Sequence, residues 1–104
     1  MGFHKVGCFV KSKKFNRLLQ KIIRLKEDNR SISDKIKSFE NTINNNSVKC
    51  VRFYTEGHGD ASYVYEKRVN RDMNTVVHLK KLQEYNSSMI NKYRDKIKQL
   101  GVHL

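Results

Sequence analysis

The chain contains no proline or tryptophan, and only 10 acidic residues stand against 22 lysines and arginines. Lysine and asparagine are abundant, a bias typical of AT-rich coding, which agrees with a phage, viral or low-GC bacterial source. No apolar run approaches the ~18 residues of a membrane-spanning helix, and no signal-peptide core follows the N-terminus. We therefore expect a cytoplasmic protein that does not enter membranes.

Motifs for metal binding and catalysis are also absent. The two cysteines, Cys8 and Cys50, lie far apart without C-x-x-C spacing, so we expect free thiols in a reducing compartment and no metal site. No nucleophile-elbow, P-loop or HExxH spacing occurs. His58 lies between Glu56 and Asp60, but a polar, glycine-rich turn explains this segment without chemistry. The sequence therefore predicts a protein that is not an enzyme and uses no cofactor.

Two heptad patterns are the clearest feature that is present. The first contains Phe15, Leu18, Ile22, Leu25, Asn29, Ile32, Ile36 and Phe39, and the second contains Val76, Leu79, Gln83, Asn86, Ile90, Tyr93, Ile97 and Leu100. Spacings that alternate between three and four are typical of helices that pair along one stripe. When the second pattern is placed antiparallel to the first, one register sets Phe15 against Leu100 and Asn29 against Asn86. The patterns therefore predict an antiparallel helical hairpin.

The segment between the heptads predicts strands. Residues 48–55 and 61–69 are rich in β-branched and aromatic residues, and the intervening EGHGD offers two glycines for a turn. Three asparagines at 44–46 favour a helix end before them. The predicted fold class is α+β, a single domain in which a β-hairpin is inserted into a coiled-coil-like helical hairpin. Its parts are a basic and apolar arm or strand (1–12), helix one (13–45), the β-hairpin (48–69) and helix two (72–100).

Two alternatives to this fold remain open. The segment EDNRSISD, residues 27–34, contains weak helix formers, and a break there would favour a compact β-α-β-β-α domain. The heptad continues through Asn29 and Ile32, which favours the long hairpin. Asn29 would instead face its own copy in a parallel homodimer, but that arrangement sets Lys21 against Lys26. The intramolecular hairpin explains both heptad asparagines and avoids this repulsion.

Positive charge is concentrated near the two ends of the sequence. Residues 1–26 hold eight lysines and arginines and no acid, and residues 71–104 hold seven against three acids. An antiparallel hairpin brings these segments together, and a concentrated basic surface favours a phosphate backbone, DNA or RNA, as ligand. The predicted nucleic-acid-binding residues are Lys11, Lys13, Lys14, Arg17, Lys21, Arg24, Lys92, Lys96 and Lys98.

The position of the first basic cluster adds a second reason to expect an anion. Ser12 is a suitable N-cap for a helix that begins at Lys13, which would place Lys13, Lys14 and Arg17 at the positive end of the helix dipole. Each such placement costs about 0.3–1 kcal/mol at low salt. A bound phosphate would offset that cost, because helix N-terminal amides and nearby cations together form an anion site. A solvated basic face is the alternative.

Aromatic residues in the predicted strands suggest base stacking. Phe53, Tyr63 and Tyr65 alternate with lysine and arginine, a pattern that suits a nucleic-acid platform, although any strand is rich in such residues.

The alternative function is a non-catalytic adaptor or inhibitor that binds and blocks another protein. Apolar residues outside the heptad stripe predict a surface for a partner protein or for a second copy in a homodimer. These residues are Leu19, Ile23, Leu82, Tyr85 and Met89. Under this hypothesis the positive charge steers the protein toward an acidic surface.

Overall fold

The protein consists of two long helices joined by a short turn. The computed structural model describes the backbone of residues 2–101 and the side chains of residues 12–101. Helix α1 spans Gly2–Thr55, 54 residues, and helix α2 spans Gly59–Gln99, 41 residues. The predicted helical hairpin is confirmed, and α1 runs through residues 27–34 without a break. Neither helix has, within the described residues, an apolar stretch long enough to cross a bilayer.

The predicted β-hairpin and α+β class are wrong. Residues 48–55 belong to α1 and residues 61–69 to α2, and residues 2–12, predicted as an arm or strand, also belong to α1. The asparagines at 44–46 lie inside α1 and do not end it. An asparagine that ends a helix adopts the left-handed conformation, and no described residue other than glycine has a positive φ. Residues 2–101 contain no strand.

Packing explains why the β-prone segments are helical. The three–four spacing continues past Phe39 through Ile43, Cys50 and Phe53, and it continues before Val76 back to Ser62. Ser62 is buried, and its hydroxyl donates to the Cys50 carbonyl over 2.9 Å. Strand propensity depends strongly on context, and an isolated two-stranded ribbon is marginally stable. A helix that extends an existing seam buries more apolar surface than such a ribbon.

The turn at residues 56–58 is a helix C-cap of the Schellman type. Gly57 has φ +83°, a left-handed conformation that favours glycine. The His58 amide donates to the Phe53 carbonyl over 2.8 Å, and the Gly57 amide donates to the Tyr54 carbonyl over 3.2 Å. The His58 ring packs edge-on against Phe53, which supplies the apolar contact of this motif. The Ser62 amide then donates to the His58 carbonyl over 3.0 Å as α2 begins.

The C-terminal end of α2, at Gln99, lies within one residue of the predicted end at residue 100. Gly101 has φ +83°, and its amide donates to the Lys98 carbonyl over 2.9 Å. A left-handed glycine directly after a helix closes off the last carbonyls, so it ends the helix at low conformational cost.

The contacts divide the chain into two compact units. The terminal unit comprises Met1–Arg30 and Glu84–Leu104, and the turn unit comprises Ser31–Gln83. The core of the terminal unit is Ile22, Ile90 and Ile97, flanked by Phe15, Leu18, Leu25 and Tyr93. The core of the turn unit is Ile32, Ile36 and Val76, flanked by Phe39, Ile43 and Leu79. All of these except Ile43 are residues of the two heptad patterns.

The polar layer in the seam of the terminal unit has the predicted register. Asn86 is buried, and its side-chain amide donates to the Asn29 side-chain oxygen over 3.0 Å. Asn29 in turn donates to the Ser87 hydroxyl over 3.4 Å. In the turn unit, the side-chain amide of Gln83 donates to the Ser33 hydroxyl over 2.7 Å.

Candidate functional site

Positive charge is concentrated in the terminal unit. Its two segments contain 13 lysines and arginines against four acids, whereas the turn unit contains nine against six. The net charges are therefore +9 and +3, which together give the +12 of the whole chain. A ligand attracted by charge meets its strongest field at the terminal unit.

A groove on one side of the seam gathers cations from both helices of the terminal unit. Lys14, Arg17 and Lys21 come from α1 and Lys96 comes from α2, and all four are exposed. The hollow measures about 290 Å³, and Leu18, Leu100 and Gln99 complete its lining. We call this the basic groove.

Heptad positions explain why these cations meet. With Phe15 at position a in α1 and Val76 at position a in α2, Lys14, Lys21 and Lys96 all occupy g positions. The g positions of two antiparallel helices border the same side of the seam, so residues from distant parts of the sequence converge there.

The ring of Tyr93 contacts two cations of the basic groove, one from each helix. The ammonium of Lys21 lies 5.3 Å from the Tyr93 ring centroid, and that of Lys96 lies 5.6 Å from it. The two charges are therefore at most 10.9 Å apart, where their repulsion in water is about 0.4 kcal/mol. Each exposed cation–π contact contributes about 0.5–1 kcal/mol, so the ring attraction outweighs the repulsion at that separation.

A second hollow continues the positive surface along α1. Lys13, Arg17, Lys21 and Arg24 line a shallow depression of about 460 Å³, with Asn16 and Gln20. Arg17 and Lys21 line both hollows, so the two depressions adjoin. Among the described residues, no salt bridge includes Lys14, Arg17, Lys21 or Lys96.

The structure thus brings six of the predicted nucleic-acid-binding residues together and leaves Lys92 and Lys98 outside the two hollows. The six are Lys13, Lys14, Arg17, Lys21, Arg24 and Lys96. Lys92 is exposed one turn before Lys96 on the same side of α2, whereas Lys98 lies about 200° around the helix from Lys96. Lys11 lies outside the residues whose side chains the structure describes.

The argument from the helix dipole is wrong. Because α1 begins at Gly2, Ser12 is not an N-cap, and Lys13, Lys14 and Arg17 lie in the helix interior. The free amides at the start of α1 are more than two turns away from these cations. Because the effect of the helix dipole falls off within one turn, it does not act on them. The basic groove rests on side-chain cations alone.

The predicted stacking residues do not lie on a strand platform. Phe53 and Tyr65 stack on each other, with ring centroids 5.5 Å apart and planes 9° apart, so each covers one face of the other. Tyr63 is 56% exposed, and the ammonium of Lys67 lies 4.7 Å from its ring centroid. Of the three rings, Tyr63 offers the most accessible surface.

The predicted partner-binding residues do not share one side of the helices. Leu19 and Met89, both in the terminal unit, are partly buried at positions e and g, which border opposite sides of the seam. Ile23 and Tyr85, of the same unit, are exposed at positions b and c. In the turn unit, Leu82 is 46% exposed at position g. Leu19 and Ile23 are neighbours on α1, and Tyr85 and Met89 are neighbours on α2, so the apolar residues of the terminal unit form two separate patches instead of one surface.

Tyr93 is the residue of the candidate site that sequence reasoning missed. It appears in the second heptad as a core residue, yet its ring also contacts one lysine from each helix. A tyrosine at position d with a lysine three residues later is the signal that could have identified it, because such residues are neighbours on one helix face.

A metal site is not found in the part of the chain that the structure describes. The described residues contain no group of three or more His, Cys, Asp or Glu side chains placed to hold a metal ion. The chain matches no protein-family model, no curated protein and no solved structure. Function is therefore inferred from the site itself.

Proposed function

We propose that the protein binds nucleic acid through the phosphate backbone, without catalysis, and that the basic groove is the contact surface. The observation that carries this proposal is the convergence of Lys14, Arg17, Lys21 and Lys96 on one groove, with no salt bridge to any of them among the described residues. Phosphate contacts of this kind supply most non-specific affinity for DNA and RNA.

The dimensions of a helix pair favour contact with the backbone over contact with bases. One helix with its side chains is about 10–12 Å across, and packed helix axes lie about 8–10 Å apart. A pair is therefore about 20 Å wide, whereas the major groove of B-DNA is about 12 Å wide. The cations border the seam between the helices, so they meet the ridge of a sugar–phosphate backbone rather than base edges. We expect binding that depends little on sequence.

The adaptor hypothesis has less support from the geometry. Within the terminal unit, its predicted apolar residues lie on different sides of the seam, and no continuous apolar surface joins Leu19 to Met89. The basic groove and the adjoining hollow, in contrast, unite six of the nine residues that the nucleic-acid hypothesis named. Binding and blocking another protein therefore stays a prediction.

Fluorescence anisotropy with labelled duplex DNA and single-stranded RNA across a salt series tests the proposal. The log–log slope on duplex DNA is about −0.9 per phosphate contacted, so one contact contributes about eightfold in affinity at 0.1 M salt relative to 1 M. The double variant Lys21→Gln, Lys96→Gln should flatten the slope by about 0.9 to 1.8, according to whether the two lysines share one phosphate.

The matched control removes the same charge elsewhere in the terminal unit. Lys26 and Lys98 are exposed and line neither hollow, so Lys26→Gln, Lys98→Gln should change the slope much less. Equal slopes for the two double variants would show that only net charge matters, and the groove would lose its assignment. Wild-type binding without a salt dependence would overturn the nucleic-acid function as a whole.

A further inference from the structure

The turn unit contains a second tyrosine that holds two cations. The ammonium of Lys49 lies 5.7 Å from the Tyr65 ring centroid, and the guanidinium carbon of Arg68 lies 5.2 Å from it. Lys49 comes from α1 and Arg68 from α2, and both side chains are exposed. Neither residue takes part in a salt bridge among the described residues.

This arrangement repeats the one around Tyr93. Lys49 follows Lys21 by 28 residues, and Tyr65 and Arg68 precede Tyr93 and Lys96 by the same number. Because 28 residues are four heptads, every member keeps its heptad position: g for the cations and d for the tyrosine. The chain therefore builds the same set of three side chains once in each unit.

Two differences suit the second set to a phosphate. Arg68 replaces a lysine, and a guanidinium presents a planar pair of donors that matches two phosphate oxygens. Phe53 stacks on Tyr65, which fixes the ring and leaves its other face for cations. Arg52 lies 5.8 Å from the Phe53 ring centroid but is paired with Glu56 over 3.5 Å, so its charge is partly neutralised.

Two other features of the turn unit, Tyr63 and the hollow at the turn, do not combine two cations with one aromatic ring. Tyr63 has a single cation, Lys67, over its ring. The hollow at the turn, about 630 Å³, is lined by Asp60 and His58 and contains no lysine or arginine. A carboxylate repels phosphate, so an anion would favour Lys49 and Arg68 over the turn hollow.

We infer that Lys49 and Arg68, held by Tyr65, form a second phosphate-binding site, and that its ligand is a backbone phosphate of the same class of nucleic acid. This inference rests on the proposed function but concerns a different unit and different residues. Two cations at most 10.9 Å apart on flexible side chains can close on one phosphate. The chain therefore contacts the backbone at two places.

Anisotropy with single and double variants tests whether the two cations act as a pair. If Lys49 and Arg68 share one phosphate, Lys49→Gln and Arg68→Gln should each flatten the salt slope on duplex DNA by up to about 0.9, and the double variant should lose no more than that. The charge-matched control is Lys37→Gln, Lys81→Gln, two exposed lysines of the turn unit without aromatic or ionic contacts among the described residues. A slope for Lys49→Gln, Arg68→Gln equal to that of the control would overturn the inference.

Nuclear magnetic resonance of tyrosine-labelled protein separates the two sites. A short DNA duplex should shift the ring signals of Tyr93 and Tyr65 and leave exposed Tyr54 nearly unchanged. A shift of Tyr93 alone would leave the proposed function standing and remove the second site. A shift of Tyr65 alone would keep the second site and remove the basic groove. Shifts of neither would overturn both, and equal shifts with inorganic phosphate would show that the site takes the free anion instead of a polynucleotide.

Discussion

The buried amide pair between Asn29 and Asn86 allows a quantitative test of the seam. Asn86 is only 6% exposed, whereas Asn29 is half-buried, and one hydrogen bond of 3.0 Å joins them. Replacing either residue by leucine adds apolar burial and removes the hydrogen bond between the two amides. Because the two sites differ in exposure, we expect the two single variants to change stability in opposite directions.

The magnitudes follow from the exposures. Leucine at position 86 would be fully buried, a gain of about 2 kcal/mol, and the half-buried Asn29, which still donates to Ser87, loses one hydrogen bond at a cost of about 1 kcal/mol. Asn86→Leu should therefore stabilise by about 1 kcal/mol. Leucine at position 29 gains about 1 kcal/mol, whereas the buried Asn86 amide loses its partner at a cost of about 2 kcal/mol. Asn29→Leu should therefore destabilise by about 1 kcal/mol.

The double variant completes the cycle. With both amides gone, the gains of about 2 and 1 kcal/mol remain and one hydrogen bond worth about 1 kcal/mol is lost, so Asn29→Leu, Asn86→Leu should stabilise by about 2 kcal/mol. The single effects sum to about zero, which makes the coupling about 2 kcal/mol. Urea unfolding followed by circular dichroism at the helix signal measures all four proteins. Equal single effects, or a double variant equal to their sum, would refute the pairing of these residues.

Two further substitutions test the turn and the core. Gly57→Ala should destabilise by about 1–2 kcal/mol, because its φ of +83° strains any residue with a Cβ, while Gly59→Ala should not, since nothing lies within 4 Å of an added Cβ and φ is ordinary. Ile97→Ala should lose about 2–5 kcal/mol, because Ile97 is 0% exposed, whereas Ile23→Ala, at a site 41% exposed, should lose much less. Thermal unfolding checks both pairs, and equal effects within either pair would contradict the corresponding assignment.

The hairpin was predictable because its signal is periodic and redundant. Each of the two heptad patterns contains eight residues at positions a and d. The pairing of Asn29 with Asn86 then selects one register among several. A polar residue in a core position disfavours other registers, since each of them would bury an amide against an apolar partner. The end of α2 at Gly101 was predictable for a local reason, the readiness of glycine to adopt a left-handed conformation.

The helical state of residues 48–55 and 61–69 was not predicted, because two signals conflict there. Valine, phenylalanine and tyrosine favour strands by local propensity, but Cys50, Phe53, Ser62 and Tyr65 continue the spacing of the seam. Cys50 and Ser62 are small or polar, which weakens the apolar pattern of the seam. The strand propensity of the neighbouring residues therefore dominates when the sequence is read alone. Packing between two helices outweighs a propensity scale that spans only about 1 kcal/mol.

The sequence by itself determined the periodicity of the helices, the register set by the asparagines and the excess of positive charge, because each of these is written in residue identity and spacing. Only the tertiary structure decided that the β-prone segments are helical and that Lys21 and Lys96 share the ring of Tyr93. These residues are distant in sequence, and the g positions of two helices become neighbours only when the helices pair antiparallel. Which cations come together therefore depends on how the two helices pair along the seam.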